Sequence, residues 1–503
     1  MLLTSGVALV RPYASRATSA AAPRFDVLVY GGTMSGIMAA VAAAREGRNV
    51  ALVRGPDALG GMPANGLSHA DQQDPGVTGG LALDFYHRIG AYYGATYTFN
   101  YEPHVAFHVA VLLLSSYKVK VYLADMAEVR TSGLLTAMRL TDGTVVYADY
   151  IIDASYEGDL MAASGVTFRT GREAASQYGE SVGGFGQGIT DTEISATQPN
   201  GGAFWGVGPA PNLAVGAADN GVMAYNYRLC ITSAGNRKPF PRPAGYDPSH
   251  YALAIHNFDR DTNAFKPSPL PNGKFDLNSS LAVTTDFIGG SVNYPNSSGS
   301  QRAQITASHF QYQAGLLYFL SNDPSVPSSI RGSVAAYGLA ADEFTGNGGW
   351  PTQLYVREAR RMVGRYVITE NDVVDGATQP DSIGMAEFPF DCHVVNRYPS
   401  NHGTILLEGF FKPVLKFNAR GYQIPYRALT PKMSDSKNLL VSVCASASHV
   451  AVTSLRVEQH YMIMGEAAGI AASLAFASRI PVQDVSTCEL ASKITRYGGR
   501  LKH

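Results

Sequence analysis

Cysteine is scarce in this chain of 503 residues, and its four cysteines stand far apart. Cys230, Cys392, Cys444 and Cys488 contain no Cys-x-x-Cys pair and form no His/Cys cluster with the spacing of metal ligands. Buried free thiols are therefore predicted, rather than a structural zinc site. No metal ligand is predicted elsewhere in the chain.

Charge and long apolar runs are also in short supply. Only 16% of the residues are charged, the net charge is −1, and no basic run carries interleaved aromatic residues. This pattern argues against nucleic acid as a partner. Polar residues interrupt apolar stretches such as 105–114 well before the ~18 residues that a membrane span needs. No integral membrane segment is expected.

The first 24 residues contain arginine and no acid, and they include the small-residue run 19–22. This composition is typical of a cleaved secretory leader, a transit peptide or a disordered N-terminus. Two glycosylation sequons, at Asn278 and Asn296, favour a secreted glycoprotein over a protein of an organelle or the cytoplasm. Localisation is otherwise left open.

A glycine-rich turn follows the first apolar run. Residues 25–30 predict a buried strand, 35–46 a helix and 49–53 a second strand, which together form one βαβ unit. The turn between the first strand and the helix is Gly31-Gly32-Thr33-Met34-Ser35-Gly36. Gly31 suits a sharp turn and Gly36 suits close packing of helix on strand, so the turn predicts a dinucleotide site at the helix start.

Two features near the second strand bear on this prediction. A ribose-binding acid is expected about 20 residues after the turn, but Arg54 stands there instead. Arg54 would stack on adenine, reach a phosphate or remain a solvated charge. Farther along, Gly60, Gly61 and Met62 supply another flexible segment that could approach a flat or charged ligand.

Other patterns predict the rest of the chain. An Asp-Gly turn within 134–153 indicates a β-hairpin. Helices are predicted over 301–321, 353–369 and 454–477. The charged residues Arg357, Glu358, Arg360 and Arg361 are interpreted as a salt-bridge array at helical spacing.

Several ordered motifs resemble the FAD-dependent oxidoreductase family of the glutathione-reductase-like flavoproteins. They are 31–40 with 59–61, 153–160, 347–351, 354–362, 422–427, and 446–450 with 454–458. Together they cover nearly all of residues 25 to 478.

The resemblance implies an α/β fold with a Rossmann-like FAD-binding domain and an inserted, discontinuous substrate domain. The predicted FAD-binding domain comprises 25–165 and 400–485, the substrate domain 166–399, and a tail 486–503. Bound FAD would place its pyrophosphate on residues 31–36 and its adenine near Met126. Its ribityl chain or flavin ring would lie along residues 60–62. Further cofactor contacts are expected from Ala154, Ser155, Ala445, Ser454, Leu455 and Arg456, with a helix from Ser454 pointing its positive end at the ring.

Catalytic candidates follow from this chemistry. Hydride transfer to flavin N5 requires a base to take the substrate proton, and histidine suits that role near neutral pH. His449 and His393 are the candidates, although each could be only a hydrogen-bonded structural histidine.

The predicted function is oxidation of a small organic molecule, such as a sugar, polyol or secondary metabolite. No motif identifies the electron acceptor. Two alternatives stay open at this stage. One is a non-redox isomerase, lyase or binding module that has lost flavin, and the other is an NAD(P)-dependent dehydrogenase.

Overall fold

The computed structural model describes residues 22–71, 76–131, 134–258, 265–278, 283–411, 415–418 and 420–503. Most of the predicted leader and two residues of the sequon at Asn278 lie outside these residues.

The described chain contains both helices and strands throughout its length. The strands are β1 Arg24–Tyr30, β2 Val50–Val53, β3 Lys120–Tyr122, β4 Met126–Thr131, β5 Leu135–Leu140, β6 Val145–Asp153, β7 Phe168–Arg169, β8 Thr190–Ser195, β9 Leu229–Thr232, β10 Pro267–Pro269, β11 Lys274–Leu277, β12 Gly338–Leu339, β13 Arg361–Met362, β14 Ser382–Ala386, β15 Asn396–Pro399, β16 Thr404–Glu408, β17 Tyr422–Pro425 and β18 Leu439–Val441. The α-helices are α1 Met34–Arg45, α2 Gly80–Tyr92, α3 Pro103–Ser116, α4 Asp159–Ala163, α5 Ala175–Tyr178, α6 Ala252–Asn257, α7 Gly299–Asn322, α8 Ser328–Ala335, α9 Glu370–Asp375, α10 His449–Leu455, α11 Glu458–Ser478 and α12 Thr487–Arg496.

The largest sheet confirms the predicted α/β fold. Its strand order is β3-β2-β1-β6-β5-β4, and β18 pairs with the carboxyl half of β6. Strands β1, β2, β3, β6 and β18 run parallel, whereas β4 and β5 continue the sheet antiparallel. The apolar strands β1 and β2 are covered on both faces, as a parallel sheet requires.

The middle of the chain forms smaller sheets. Strands β10, β11, β9 and β12 form one, and β15, β16 and β8 form another. Among the described residues after 400, β16 and β17 pair with strands of this middle part, and only β18 joins the large sheet. The predicted domain bounds stay a prediction.

The helix predicted over 353–369 is wrong. Residues 353–359 are buried without interruption and only the short strand β13 follows, so no side of the segment faces solvent as a surface helix would require. The spacing of the charged residues fits a helix, but the segment is not helical, and its charged side chains form buried ion pairs. Arg357 lies 3.0 Å from Asp286, and Arg361 lies 2.8 Å from Glu173.

The long helix predicted from Ser454 is also wrong in its start. Helix α10 spans His449–Leu455, and two non-helical residues, Arg456 and Val457, separate it from α11, which begins at Glu458. Ser454 and Leu455 therefore lie in the last turn of α10, and the positive end of a helix does not fall at Ser454.

Helix α11 packs along α1 in the same direction. A Cβ atom at Gly465 would lie 2.1 Å from the Ser35 carbonyl oxygen, and one at Gly469 would lie 2.2 Å from that of Ala39. The N-terminal ends of α1 and α11 therefore lie at the same end of the molecule. At 1.5 Å per residue, the start of α11 projects roughly 10 Å beyond Ser35.

This close packing gives a stability prediction. A Gly465→Ala variant should lose about 2–3 kcal/mol of unfolding free energy, because its methyl group meets main chain that has little room to move. Gly332→Ala in α8, where no atom of the described residues lies within 4 Å of the new methyl group, is the matched control and should be neutral or stabilising. Chemical unfolding measures both, and equal effects would contradict the packing.

Helix α11 is also the one described helix that is long and apolar enough to cross a membrane. Its mean hydropathy is 1.3, but 83% of the relevant window is buried inside the protein. A core helix of this kind passes the same test of length and composition.

Candidate functional site

The glycine-rich turn brings β1, α1 and the end of β6 into contact. Gly31 has a φ of +118°, and a Cβ atom there would lie 2.5 Å from the carbonyl carbon of Ala154. A Cβ atom at Gly36 would lie 2.1 Å from the Gly31 oxygen. Both positions therefore require glycine, as predicted from the sequence.

Thr33, which occupies the place of the usual middle glycine, caps α1. Its Oγ1 accepts a hydrogen bond from the Gly36 amide at 3.1 Å and donates one to the Ala154 carbonyl at 2.7 Å. Across the described chain, the main-chain amides of Thr33, Met34 and Ser35 have no acceptor. Free amides at the positive end of a helix suit an anion such as a diphosphate.

Residues 57–62 lie over the turn. The Gly60 amide donates to the Gly32 carbonyl at 2.8 Å, and a Cβ atom at Gly61 would lie 3.0 Å from Thr33 Cα. Residues 31–36 and 60–62 are all buried. A diphosphate on these amides therefore requires the covering main chain to move aside.

A cavity of about 670 Å³ opens at the carboxyl ends of the parallel strands. Its lining includes Tyr30, Pro56, Asp125, Met126 and Glu157. Met126, the predicted adenine contact, lines this cavity, and its amide donates to the Asp125 carboxylate at 2.6 Å. The volume falls in the range of ordinary ligand pockets.

Asp57 is a polar residue that sequence reasoning missed. Its side chain is fully buried, and neither carboxylate oxygen has a partner with hydrogen-bond geometry in the described structure. Burial raises its pKa well above the usual value, and Glu157 raises it further, although the Tyr156 amide opposes the shift. It lies three residues beyond Arg54, whose side chain instead packs against Gly32.

The end of β6 is held by its own side chains. Ser155 donates through both its amide and its hydroxyl to one Asp153 oxygen, at 3.0 and 2.7 Å. The Ser35 hydroxyl donates to Ser442 at 2.9 Å, which ties the turn to the segment after β18. The structure thus brings Ala154 against the predicted turn and anchors Ser155 immediately beside it. Ala445 is buried in the loop after β18.

The start of α11 carries a buried acid. Glu458 Oε1 accepts a hydrogen bond from the Tyr156 hydroxyl at 2.6 Å, and that hydroxyl accepts one from the Met62 amide at 2.9 Å. Its other oxygen, Oε2, has no partner in the part of the chain that is described. Burial raises the pKa of Glu458 to about 7, although the bond from Tyr156 opposes the rise.

A small cavity adjoins Glu458. It is lined in part by Asp71, Tyr355, Asp391 and Arg456. Arg456 binds Asp391 at 2.7 Å and the Tyr355 hydroxyl at 2.8 Å, so its charge is already paired. Ser454 donates to the Phe388 carbonyl at 2.5 Å.

The two predicted catalytic histidines are held by different carboxylates, His449 by Glu358 and His393 by Asp286. His449 Nδ1 lies 3.0 Å from Glu358, and its Nε2 has no partner within the described ranges. Burial alone would raise the pKa of Glu358, but the charges of His449 and Arg361 lower it overall.

His393 is held between two acids. Its Nδ1 lies 2.6 Å from Asp286, and its Nε2 lies 3.8 Å from Asp391. Because Asp391 lines the small cavity, His393 is connected to the start of α11 through one side chain. No described hydrogen bond or ion pair joins His449 directly to Glu458, Arg456 or residues 60–62.

A group with metal-ligand character lies elsewhere. Ligand atoms of Glu102, His104 and Glu343 lie within 4.8 Å of one another. However, the Lys274 ammonium lies 2.7 Å from Glu102 and 2.8 Å from Glu343. This cluster is an ion-pair network around a buried lysine, with His104 exposed at its edge.

Fold and turn together define a dinucleotide-binding protein of the Rossmann type. The model of the family described as FAD dependent oxidoreductase matches residues 26–494. The chain belongs to this family, and its cofactor is FAD.

Solved structures with partial similarity include three flavin or redox proteins. A variant of a flavin monooxygenase from Stenotrophomonas maltophilia is 17% identical over 26% of this chain and 38% of its own, with a TM-score of 0.20. Thioredoxin reductase of T. acidophilum is 21% identical over 31% and 40%, with a TM-score of 0.17. NikD, an amino acid oxidase essential for nikkomycin biosynthesis, is 12% identical over 30% and 56%, with a TM-score of 0.23. The chain thus spans about two fifths to little more than half of these proteins. No curated protein matches the sequence.

Proposed function

We propose that this protein oxidises a small organic substrate, such as a sugar, polyol or other metabolite, at the start of α11. The observation that carries the proposal is the unpaired oxygen of Glu458, a buried acid that is linked to Met62 through Tyr156 and lines a small cavity of about 10 Å³. When bound, FAD would supply the oxidising chemistry, as the acceptor of a hydride and its electron pair from a substrate carbon.

The residues that would hold FAD follow the direction of α1 and α11. Amides of residues 33–35 would bind the pyrophosphate, and Met126 would meet adenine. The flavin end would lie along residues 60–62, with Ala154, Ser155, Ala445, Ser454, Leu455 and Arg456 behind it. Because α11 begins roughly 10 Å beyond α1, an extended cofactor on α1 would reach Glu458.

Glu458 is the proposed proton acceptor. As the hydride leaves the substrate carbon, the O–H or N–H bond breaks, its proton passes to Glu458 Oε2, and its electron pair forms the new C=O or C=N bond. A base with a pKa near the working pH suits this transfer. His393 and His449 are the alternative acceptors, since each has a carboxylate that orients its ring.

Asp57 is the proposed ribose anchor. An Asp57→Asn variant should bind FAD about tenfold more weakly, because a charged acceptor of a hydroxyl is lost. The same change should stabilise the FAD-free protein by about 1–3 kcal/mol at pH 8, because it removes an unpaired buried charge. Because the pKa of Asp57 is higher in the folded state, the folded protein favours the protonated acid. The unfolding free energy of the natural chain therefore falls as the pH rises, and the gain from Asp57→Asn grows with pH.

Titration with FAD and chemical unfolding at pH 5 and pH 8 test both effects. Asp84→Asn, at a half-exposed acid on α2, is the control. If affinity is unchanged while stability rises, Asp57 does not bind the ribose.

The function itself is tested by mixing the FAD-loaded protein with sugars, polyols, amines and hydroxy acids without oxygen. The proposal is supported if the absorbance of oxidised flavin is lost and the product contains two hydrogen atoms fewer than the substrate. If the flavin is stable to all of these but is reduced by a nicotinamide cofactor, the substrate class is wrong.

A further inference from the structure

A second cavity lies outside the site described above. It has a volume of about 500 Å³ and is formed by residues from separate parts of the chain. The lining residues are Tyr227, Pro239, Pro241, Phe310, Leu339, Asn347, Gly348, Trp350, Pro351 and Thr352. None of them is charged, so a charged ligand would lose its hydration here without gaining a partner.

Three aromatic rings form part of the wall. Trp350 meets Phe310 edge-on at a centroid distance of 5.0 Å and meets Tyr227 at 5.6 Å. Aromatic and proline surfaces of this kind pack against the apolar face of a ring. The volume matches that of small-molecule pockets.

Trp350 also carries an unused donor. Its side chain is 4% exposed, and its indole N–H has no acceptor anywhere in the described structure. Buried indole groups normally find an acceptor. The nitrogen itself is buried, so an oxygen of a ligand satisfies this group when the Trp350 ring turns toward the cavity.

The wall is joined to the segment that covers the glycine-rich turn. The Thr352 hydroxyl donates to Asn65 at 3.0 Å, and Gln353 accepts from the Ala58 amide at 2.8 Å. Thr352 lines both this cavity and the 670 Å³ cavity at the strand ends. The second cavity is therefore next to the cofactor region but separated from it by residues 351–353.

We propose that this cavity binds an uncharged ring that carries a hydrogen-bond acceptor. The ring packs against Phe310 and Trp350, and its acceptor receives the indole N–H. Binding here goes beyond the proposed function, because it needs neither FAD nor its reduction.

The test uses the fluorescence of Trp350 in the FAD-loaded protein. The chain has only two tryptophans, so a Trp205→Phe background leaves Trp350 as the sole indole signal. The probes are methyl glucopyranoside and anisole, which share an uncharged ring with an ether oxygen but differ in being a sugar and an aromatic. We expect a saturable change with at least one probe, and the responding probe identifies the kind of ring.

Substitutions then locate the binding site. Phe310→Ala should weaken binding at least about fivefold, because one wall of the cavity is lost. Phe107→Ala, at a half-exposed phenylalanine on α3, should leave binding unchanged. Trp350→Phe, followed by ligand-observed NMR, should weaken binding about fivefold through loss of the N–H donor.

Three results would overturn the inference. They are no response to either probe, equal binding by Phe310→Ala, and equally tight binding of the charged analogues methyl glucuronide and benzoate. Failure to find any compound that reduces the flavin would leave this binding result intact, so the two proposals fail separately.

Discussion

A Gly31→Ala variant is expected to purify without FAD and to bind added FAD at least about a hundredfold more weakly than the natural chain. Its methyl group would lie 2.5 Å from main-chain atoms of Ala154. The φ of residue 31 is +118°, a backbone angle that residues other than glycine rarely adopt. The turn can relieve this contact only by moving away from β6. That movement would disturb the amides of residues 33–35, on which the diphosphate depends.

The control for Gly31→Ala lies at the other end of the same helix. Gly47 also has a positive φ, of +81°, but in the part of the chain that is described no atom lies within 4 Å of a Cβ atom there. Gly47→Ala therefore reproduces the backbone strain without the contact, and it should retain FAD. Cofactor content after purification and titration of the FAD-free protein measure both variants. Equal FAD affinity in the two variants would show that the turn does not hold the cofactor.

A Glu458→Gln variant is expected to keep FAD but to slow its reduction by substrate at least about a hundredfold. The amide retains the size of the acid and can still accept a bond from Tyr156, but it cannot take a proton. Because burial raises the pKa of Glu458 to about 7, the natural chain should reduce its flavin faster as the pH rises through that value. The variant should lose this rise.

Other ionisable groups surround Glu458 and enter the pH profile. They are Asp71, Tyr101, Tyr156, Tyr355, Asp391, Arg456 and Tyr461. Burial also raises the pKa of Glu157 to about 7, so two carboxylic acid signals should titrate near pH 7. Infrared difference spectra assign one of them to Glu458, since that signal should vanish in Glu458→Gln and persist in Glu157→Gln. This measurement does not depend on finding the substrate.

Matched variants decide between the three proposed acceptors. Glu466→Gln changes another buried acid on α11 that is paired with Arg45 at 2.6 Å, and it should leave flavin reduction unchanged. His393→Ala and His449→Ala remove the alternatives. If either of these slows reduction a hundredfold while Glu458→Gln does not, the proton goes to that histidine instead.

The sequence predicted best what local chemistry controls. The turn at 31–36 was predictable because a strand, a glycine pair and an alanine-rich helix follow one another within a short stretch, and each has a characteristic pattern. The β-hairpin at 134–153 was predictable for the same reason. Family motifs extended the prediction to the whole α/β fold and to FAD.

Burial explains what the sequence could not predict. The charges at 357–361 fit a helical period, and Arg361 does pair with Glu358 within the segment. The other partners, Asp286 and Glu173, come from distant segments that no local pattern reveals. Asp57 was missed because it lies three residues beyond the expected acid. Glu458 was missed because an acid near the start of a helix also fits simple stabilisation of the helix dipole. The interruption at 456–457 separates two helices that are both apolar, so no change in composition marks the boundary between them.

A crystal structure of the FAD-loaded protein tests the central claim most directly. The account predicts diphosphate oxygens within about 3 Å of the amides of residues 33–35, the hydrogen-bond distance. It also predicts that residues 57–62 are moved off the turn and that the flavin ring lies by Glu458. FAD bound elsewhere, with residues 57–62 still packed over the turn, would contradict it.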